Sequence, residues 1–270
     1  MLITNNRQPI GIFDSGLGGL SVVRAMTELL PNEDIVYFGD TGRVPYGTRS
    51  RQTIEQYTRQ DIAFLQSKNV KLIIAACGTV SSVASHIGEA CGLPFVGVVK
   101  PTAAAAVQAT NNQKIGVIGT AATVASGSYS KEIARLDDTV QVFGQPCQLF
   151  VQMVEEGFIG ENDPIALAVC ERYLQPLKEQ GVDTLILGCT HFPLLIPVIR
   201  KVMGEGVTLI DSGKATADYV ADYLAGQNLL NELAGGQQSY FVSDRTEAFA
   251  QVAGRFLGRE IPAVSQVVLE

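Results

Sequence analysis

Two apolar runs that each end in a cysteine constrain the fold of this chain more than any other feature. Residues 70–79 read VKLIIAACGT and residues 182–190 read VDTLILGCT, so each run places a cysteine seven positions after its first valine. Short continuous apolar runs are typical of parallel strands covered on both faces. Ligands gather at the carboxyl ends of such strands, where Cys77 and Cys189 fall. A single cysteine there is more often a small core residue, but two in matching register favour a function.

The motifs around the two cysteines occur in the same order in both halves of the chain. Residues 10–16 have an echo in residues 115–120, and residues 92–98 have an echo in residues 206–212. A long internal repeat of this kind indicates two related units, and a length of 270 residues suits two domains. We therefore predict an α/β fold of two pseudo-symmetric α/β domains with mainly parallel sheets. Each domain would contribute one thiol to an active site between them.

Charge and cysteine usage exclude several classes of function. A net charge of -7 without a basic run argues against nucleic acid as the main partner. The five cysteines form no Cys-x-x-Cys pair and there are two histidines, so we predict no metal site. Residues 1–9 lack the apolar core of a signal peptide, and no apolar stretch is long enough for a membrane helix. We therefore expect no membrane partner and a cytoplasmic location.

Two loops at predicted strand ends are candidates for ligand binding. The glycine-rich turn at residues 14–21 leads into a helix predicted over about residues 20–30, whose first N–H groups can bind an anion. The glycine spacing differs from the dinucleotide-binding pattern, and the anion can equally be a carboxylate. The loop at residues 39–47 follows a second predicted strand. It is either a surface turn or a loop that lines the substrate.

The segment after Cys77 predicts how this thiol is tuned. Residues 81–87 are typical of a helix start, capped by Thr79 or by a nearby serine. Because a helix amino terminus favours negative charge, we expect the pKa of Cys77 to lie below the ordinary value of about 8.5. Four other residues of reactive type are assigned a structural role: His86, Cys91, Cys147 and Cys170.

Two thiols that face one cavity suit the inversion of a carbon centre. Inversion by proton transfer needs a base on one face and an acid on the other, and a thiolate and a thiol can exchange these roles with direction. The site must also desolvate the thiolate and stabilise a carbanion, because a Cα proton is very weakly acidic. Candidates for tuning the thiols are Asp14, His191, and either Glu155 or Glu156.

The motifs of this chain, in their order, resemble those of the bacterial glutamate racemases. The matching segments are residues 13–19, 44–47, 76–79, 119–123, 154–157 and 188–193, and the resemblance extends from residue 9 to about residue 220. It implies a cofactor-independent, PLP-independent isomerase that interconverts L-glutamate and D-glutamate and supplies D-glutamate for peptidoglycan. It also implies a homodimer, whose arrangement varies within the family.

The resemblance implies a role for particular residues. Cys77 would act on the D-enantiomer with support from Asp14, and Cys189 would act on the L-enantiomer with support from His191 and Glu155. The residues that would line the substrate are Asp14, Ser15, Tyr46, Gly47, Gly78, Thr79, Thr190 and His191, and Thr120 with Thr123 would hold a carboxylate. The chain departs from the family at Gly78, where asparagine is usual, so one side-chain amide is missing from the site.

The resemblance also implies a discontinuous domain arrangement. The first domain would comprise residues 1–101 plus 208–270, and the second would comprise residues 102–207. The tail, residues 237–242 and 261–268, would add a helix and an edge strand to the first domain.

Three alternatives to a glutamate racemase remain open. Aspartate and hydantoin racemases share the two-cysteine fold, although the segment 190–193 favours the glutamate group. A non-catalytic binding protein would keep its ligand affinity after loss of a thiol. A thiol hydrolase would need only one of the two cysteines.

Overall fold

The structure is a computed structural model that describes residues 5–261 and 263–269. Residues 1–4, part of the segment for which no signal peptide is predicted, lie outside the described residues, as do Pro262 in the predicted tail and Glu270. Among the helices that are described, none is long and apolar enough to cross a membrane.

Strands and helices alternate along most of the described chain. The strands are β1 (Ile10–Asp14), β2 (Ile35–Gly39), β3 (Leu72–Ala75), β4 (Phe95–Gly97), β5 (Lys114–Gly119), β6 (Gln141–Pro146), β7 (Thr184–Leu187), β8 (Thr208–Asp211), β9 (Gln238–Val242) and β10 (Val264–Gln266). The helices are α1 (Leu20–Leu29), α2 (Arg51–Ser67), α3 (Gly78–Val83), α4 (Ser85–Glu89), α5 (Val99–Ala109), α6 (Ala121–Ser126), α7 (Ser128–Leu136), α8 (Leu149–Glu156), α9 (Pro164–Gln180), α10 (Ile196–Met203), α11 (Ser212–Gly226) and α12 (Thr246–Leu257). Two short 3-10 turns cover Tyr46–Thr48 and Phe192–Leu195.

The strands form two parallel sheets, which confirms the predicted α/β class. The first sheet has the order β10-β9-β2-β1-β3-β4 and the second has the order β6-β5-β7-β8. All of the recorded pairs are parallel, and every residue of β1, β2, β3 and β7 is buried. Burial on both faces explains why these strands read as continuous apolar runs.

The internal repeat corresponds to equivalent strands in the two sheets. The order β2-β1-β3-β4 in the first sheet matches β6-β5-β7-β8 in the second. Cys77 follows β3 and Cys189 follows β7, each two residues after the last residue of its strand. The structure therefore confirms that both cysteines lie at the carboxyl ends of equivalent strands.

Strand β8 lies at the edge of the second sheet. Thr208 on β8 is opposite Thr184 on β7. β8 thus occupies the edge position that β4 occupies in the first sheet. The tail strands β9 and β10 extend the first sheet beyond β2. The division into residues 1–101 plus 208–270 and residues 102–207 stays a prediction.

The helix after Cys77 differs from its predicted form. α3 begins at Gly78, with Cys77 at the N-cap position and no side-chain cap, so the predicted start at residue 81 and the predicted cap by Thr79 or a serine are wrong. Thr79 lies within the first turn, and the Ser81 hydroxyl instead donates to the carbonyl of Ala75. The chain therefore turns directly from the cysteine into the helix, which brings Gly78 and Thr79 to the sheet edge.

Candidate active site

A cavity of about 370 Å³ lies at the carboxyl ends of the two cysteine strands. Both units contribute to its wall, as the repeat predicts. Its lining residues are Ser15, Val44, Pro45, Tyr46, Gly47, Thr48, Cys77, Gly78, Thr79, Thr120, Gln148, Leu149, Val151, Gln152, Tyr173, Gly188, Cys189, Thr190 and His191.

Cys77 is a buried thiol held between the β1 turn and the start of α3. Its Sγ donates to Ser15 Oγ at 3.5 Å. Burial and the nearby Asp14 carboxyl raise the pKa of Cys77 to about 12, against the backbone N–H of Val80 and the Ser15 hydroxyl, which lower it. The predicted lowering of this pKa is therefore wrong, because desolvation outweighs the amino terminus of a six-residue helix.

Asp14 ends β1 directly behind Cys77 and does not line the cavity. Its Oδ2 accepts the backbone N–H of Gly16 at 3.0 Å, and its buried Oδ1 has no hydrogen-bond partner among the described residues. Burial raises the pKa of Asp14, and the charge of His191 together with nearby backbone N–H groups opposes that rise. This carboxyl is therefore a buried titratable group within electrostatic reach of both halves of the site.

Cys189 faces a histidine and carboxylate pair. His191 Nδ1 lies 4.0 Å from Cys189 Sγ, and His191 Nε2 lies 3.0 Å from Glu155 Oε1 at the end of α8. Burial lowers the pKa of His191, but the contacts with Cys189 and Glu155 outweigh it and raise this pKa to about 10. Of the two acids that end α8, Glu155 contacts His191, whereas Glu156 is exposed. The imidazolium is therefore the prevailing form of His191 at neutral pH.

Three threonine hydroxyls meet where the two units approach. Thr120 Oγ1 lies 3.1 Å from Thr79 Oγ1 and 3.0 Å from Thr123 Oγ1. Thr120 also accepts the backbone N–H of Thr123 as the N-cap of α6. Thr79 and Thr120 line the cavity, and Thr123 is buried behind them. The cluster offers hydroxyl donors to a negatively charged group.

The two units also approach each other through glycines. A Cβ atom at Gly78 would clash with the carbonyl oxygen of Gly188, the residue before Cys189. A Cβ atom at Gly47 would lie 3.0 Å from Thr120 Cβ. The backbones beside the two thiols are thus in direct contact, and an asparagine cannot replace Gly78 without a shift of the β7 end.

The structure brings all of the predicted site residues together in and around one cavity. Three of them, Asp14, Thr123 and Glu155, lie behind lining residues rather than on the cavity surface. Lining residues absent from the predicted set are Val44, Pro45, Thr48, Gln148, Leu149, Val151, Gln152, Tyr173 and Gly188. Some of these residues lie within segments 44–47 and 188–193, whose resemblance to the family is the sequence signal that could have indicated them. Gln148, Gln152 and Tyr173 carry no such signal, because in the sequence they look like ordinary helix-surface residues.

The described residues contain no cluster of three or more His, Cys, Asp or Glu side chains that could hold a metal ion. The polar and titratable groups in and around the cavity instead fall into two sets, one around each thiol. Cys77 has Asp14 and Ser15, and Cys189 has His191 with Glu155. Each sulfur is therefore provided with its own ionisable partner.

Comparison with known proteins agrees with this geometry. The model of the Asp/Glu/Hydantoin racemase family matches residues 10–220. A glutamate racemase from Geobacter metallireducens is 44% identical over 263 residues, which cover 97% of each chain. The crystal structure of glutamate racemase from Francisella tularensis in complex with D-glutamate is 36% identical, with a TM-score of 0.91 and coverage of 98% of this chain and 99% of that one.

A second solved structure is equally similar in fold. A glutamate racemase isoform from Bacillus anthracis is 35% identical, with a TM-score of 0.93 and coverage of 97% of this chain and 98% of that one. Similarity at this level extends over both sheets and both cysteine loops. The chain therefore belongs to the Asp/Glu/Hydantoin racemase family, and within it to the glutamate racemases.

Proposed function

We propose that this protein interconverts L-glutamate and D-glutamate with its two cysteines as the acid and the base. The observation that carries the proposal is that Cys77 and Cys189 follow equivalent strands of two sheets and line the same cavity. Glutamate is supported as the substrate because the relatives are glutamate racemases and one of them was solved with D-glutamate.

The proposed reaction moves one proton on each face of the substrate. For L-glutamate, the Cys189 thiolate removes the Cα proton and the Cys77 thiol donates a proton to the opposite face. For D-glutamate the roles are exchanged, so the same two sulfurs serve both directions. The raised pKa of Cys77 suits its role as a thiol donor.

We assign the groups around each thiol as its support. The His191 imidazolium can donate a hydrogen bond to Cys189 Sγ, and Glu155 holds the other ring nitrogen. Asp14 supports Cys77 from behind. Ser15, Tyr46, Gly47, Gly78 and Thr190 line the substrate. The hydroxyls of Thr79 and Thr120 receive a carboxylate, and the Thr123 hydroxyl supports Thr120 from behind. The Gly78 backbone stands where an asparagine amide is usual.

The cellular role follows from the reaction. We propose that the product D-glutamate is used in peptidoglycan synthesis, and that the protein acts in the cytoplasm as a homodimer without PLP or another cofactor. Light scattering of the purified protein tests the dimer, and loss of cell shape with rescue by external D-glutamate tests the cell-wall role.

The activity test follows proton exchange at Cα and optical rotation in D2O. We expect the protein to racemise glutamate with deuterium incorporated at Cα, and Cys77→Ser or Cys189→Ser to abolish racemisation. Cys91→Ser is the matched control, since Cys91 lies away from the cavity. Exchange with aspartate but not with glutamate would mean that the substrate is aspartate, as for other racemases of the family. Activity that survives Cys189→Ser, or binding without exchange, would refute the two-base reaction.

A further inference from the structure

Two buried carboxyl groups meet behind the cavity wall and have no part in the reaction above. Asp40 follows β2 and Asp61 lies on α2, and both side chains are fully buried. The Tyr46 hydroxyl lies between them. It contacts Asp40 Oδ2 closely and is 3.0 Å from Asp61 Oδ2. Neither carboxyl lines the cavity, whereas Tyr46 does.

The two carboxyls are unequally supplied with hydrogen-bond donors. Arg43 Nε lies 2.6 Å from Asp40 Oδ2, and the Ser243 hydroxyl donates to Asp40 Oδ1 at 2.8 Å. Arg43 reaches Asp61 less closely, with Nη2 at 3.3 Å from Oδ1. Asp40 is thus the better stabilised anion of the pair.

The Tyr46 hydroxyl has a single proton to share between the two carboxyls, and this bears on whether Asp61 is charged. A phenol carries one proton and can donate to only one of two carboxylates. If both carboxyls were ionised, the Tyr46 oxygen would lie against a negatively charged oxygen of one carboxylate with no hydrogen between them. Such a contact is costly in a buried site. A proton on Asp61 removes this conflict, because Tyr46 then accepts from Asp61 and donates to Asp40. Burial, followed by the charge of Asp40, raises the pKa of Asp61 well above its usual range.

The hydroxyl of Tyr46 anchors the loop that forms one side of the cavity. The next residue, Gly47, lies against Thr120 of the second unit. The Tyr46 ring also contacts Tyr57 at 5.3 Å between centroids, and the Arg43 guanidinium lies 4.1 Å from the Tyr57 ring centre. Displacement of Tyr46 would therefore displace the cavity wall at residues 44–48.

We propose that Asp61 is a positioning residue for this wall. As a neutral carboxylic acid it donates a hydrogen bond to the Tyr46 hydroxyl, which in turn donates to ionised Asp40. This ordered chain holds residues 44–48 against the cavity. The inference deepens the proposed function, because its kinetic test rests on the racemisation proposed above.

The kinetic test compares an isosteric with an apolar replacement of Asp61. In Asp61→Asn the amide nitrogen can donate to Tyr46 and the amide oxygen can accept from Arg43, so we expect a KM within about twofold of the parent. In Asp61→Leu the donor is lost, and we expect KM to rise about tenfold with a smaller change in kcat. A KM for Asp61→Asn as high as that for Asp61→Leu would overturn the proposal. A KM equal to that of the parent protein in both variants would also overturn it.

An infrared test is independent of activity and of how well the leucine variant folds. The difference spectrum of the parent minus Asp61→Asn at neutral pH should show the C=O band of a protonated carboxyl group, shifted in D2O. Asp14 is present in both proteins and cancels from the difference. A carboxylate band in place of the acid band would overturn the proposal. A protein that shows the acid band but does not racemise any amino acid would refute the proposed function and leave the protonation state of Asp61 established.

Discussion

The ionisation of His191 depends on the groups that its ring contacts. Its pKa of about 10 lies above the ordinary value of 6.5, since the contacts with Cys189 and Glu155 outweigh burial. A proton held more tightly in the folded protein stabilises the fold. This contribution is complete below about pH 6.5 and is lost as the pH rises through about 10.

The predicted titration can be measured by NMR because the chain has two histidines. We expect the ring signal that disappears in His191→Gln to titrate with a midpoint near 10 in the parent protein. Glu155→Gln should lower this midpoint by about one pH unit or more, because a charged acceptor is lost. Glu156→Gln is the matched control and should leave the midpoint in place. A midpoint near 6.5 in the parent would contradict the assignment.

Gly78 is a residue whose small size has a structural reason. A Cβ at this position would clash with the carbonyl oxygen of Gly188. We therefore expect Gly78→Ala to lower the free energy of unfolding by about 1–3 kcal/mol and to reduce kcat/KM, because the two thiol loops must separate. Denaturant unfolding and steady-state kinetics measure the two effects. Gly206→Ala is the control, since a Cβ there meets nothing within 4 Å, and equal stability of the two variants would refute the argument.

At the scale of elements, α12, which lies between β9 and β10, reaches the surroundings of Cys189. Arg255 Nη1 donates to the carbonyl oxygen of Glu155 at 2.7 Å, and the Phe256 ring meets the His191 ring edge-on at 5.3 Å between centroids. The last carbonyls of a helix have no partners within it, so Arg255 supplies one at the end of α8. A helix near the chain terminus thus holds both members of the His191 and Glu155 pair.

We expect Arg255→Ala to reduce kcat/KM about three- to tenfold, because small displacements of catalytic groups are costly. The effect on stability should be small, since the Arg255 side chain is exposed. Kinetics measured in both reaction directions report the effect on kcat/KM, and thermal unfolding reports the effect on stability. Arg259→Ala serves as a control, because Arg259 bonds Gln238 and Tyr240, away from the cavity. Equal kinetics of the two variants would show that α12 does not position α8.

At the scale of the whole molecule, a buried ion pair joins distant parts of the chain at the sheet end opposite the site. Lys71 Nζ lies 2.6 Å from Glu33 Oε2, with the side chains 0% and 2% exposed. Lys71 Nζ also donates to the carbonyl oxygens of Asn6 and Leu229. Residue 71 therefore connects the amino-terminal segment, the connection from α1 to β2 and the connection from α11 to β9.

Removing one partner of this pair leaves a buried charge. We expect Lys71→Met to lower the free energy of unfolding by about 3–5 kcal/mol, as measured in urea. The exposed pair of Lys100 and Glu89 offers the control, and Lys100→Met should cost no more than about 1 kcal/mol. A similar loss in both variants would mean that the burial of Lys71 has no energetic consequence. Restoring neutrality with Lys71→Met and Glu33→Leu together should recover part of the stability.

Local pattern was sufficient to predict the α/β class, the strand ends at Cys77 and Cys189, and the turn after β1. Each rests on hydrophobic runs and glycine spacing within about ten residues, which follow from backbone geometry and burial. The resemblance to a family then identified the remaining site residues, and the structure brings them together around one cavity. Their individual roles stay predictions until the variants are measured.

Other features depended on which groups meet through space. Burial beside Asp14 reversed the expected pKa shift of Cys77. The contact of His191 with Glu155, the acid that the resemblance implied, is likewise made through space. The pairing of β8 with β7 and the meeting of Asp61 with Tyr46 are likewise tertiary contacts. Desolvation and charge interactions depend on distance in the folded molecule rather than on separation along the chain, so only the tertiary structure could decide them.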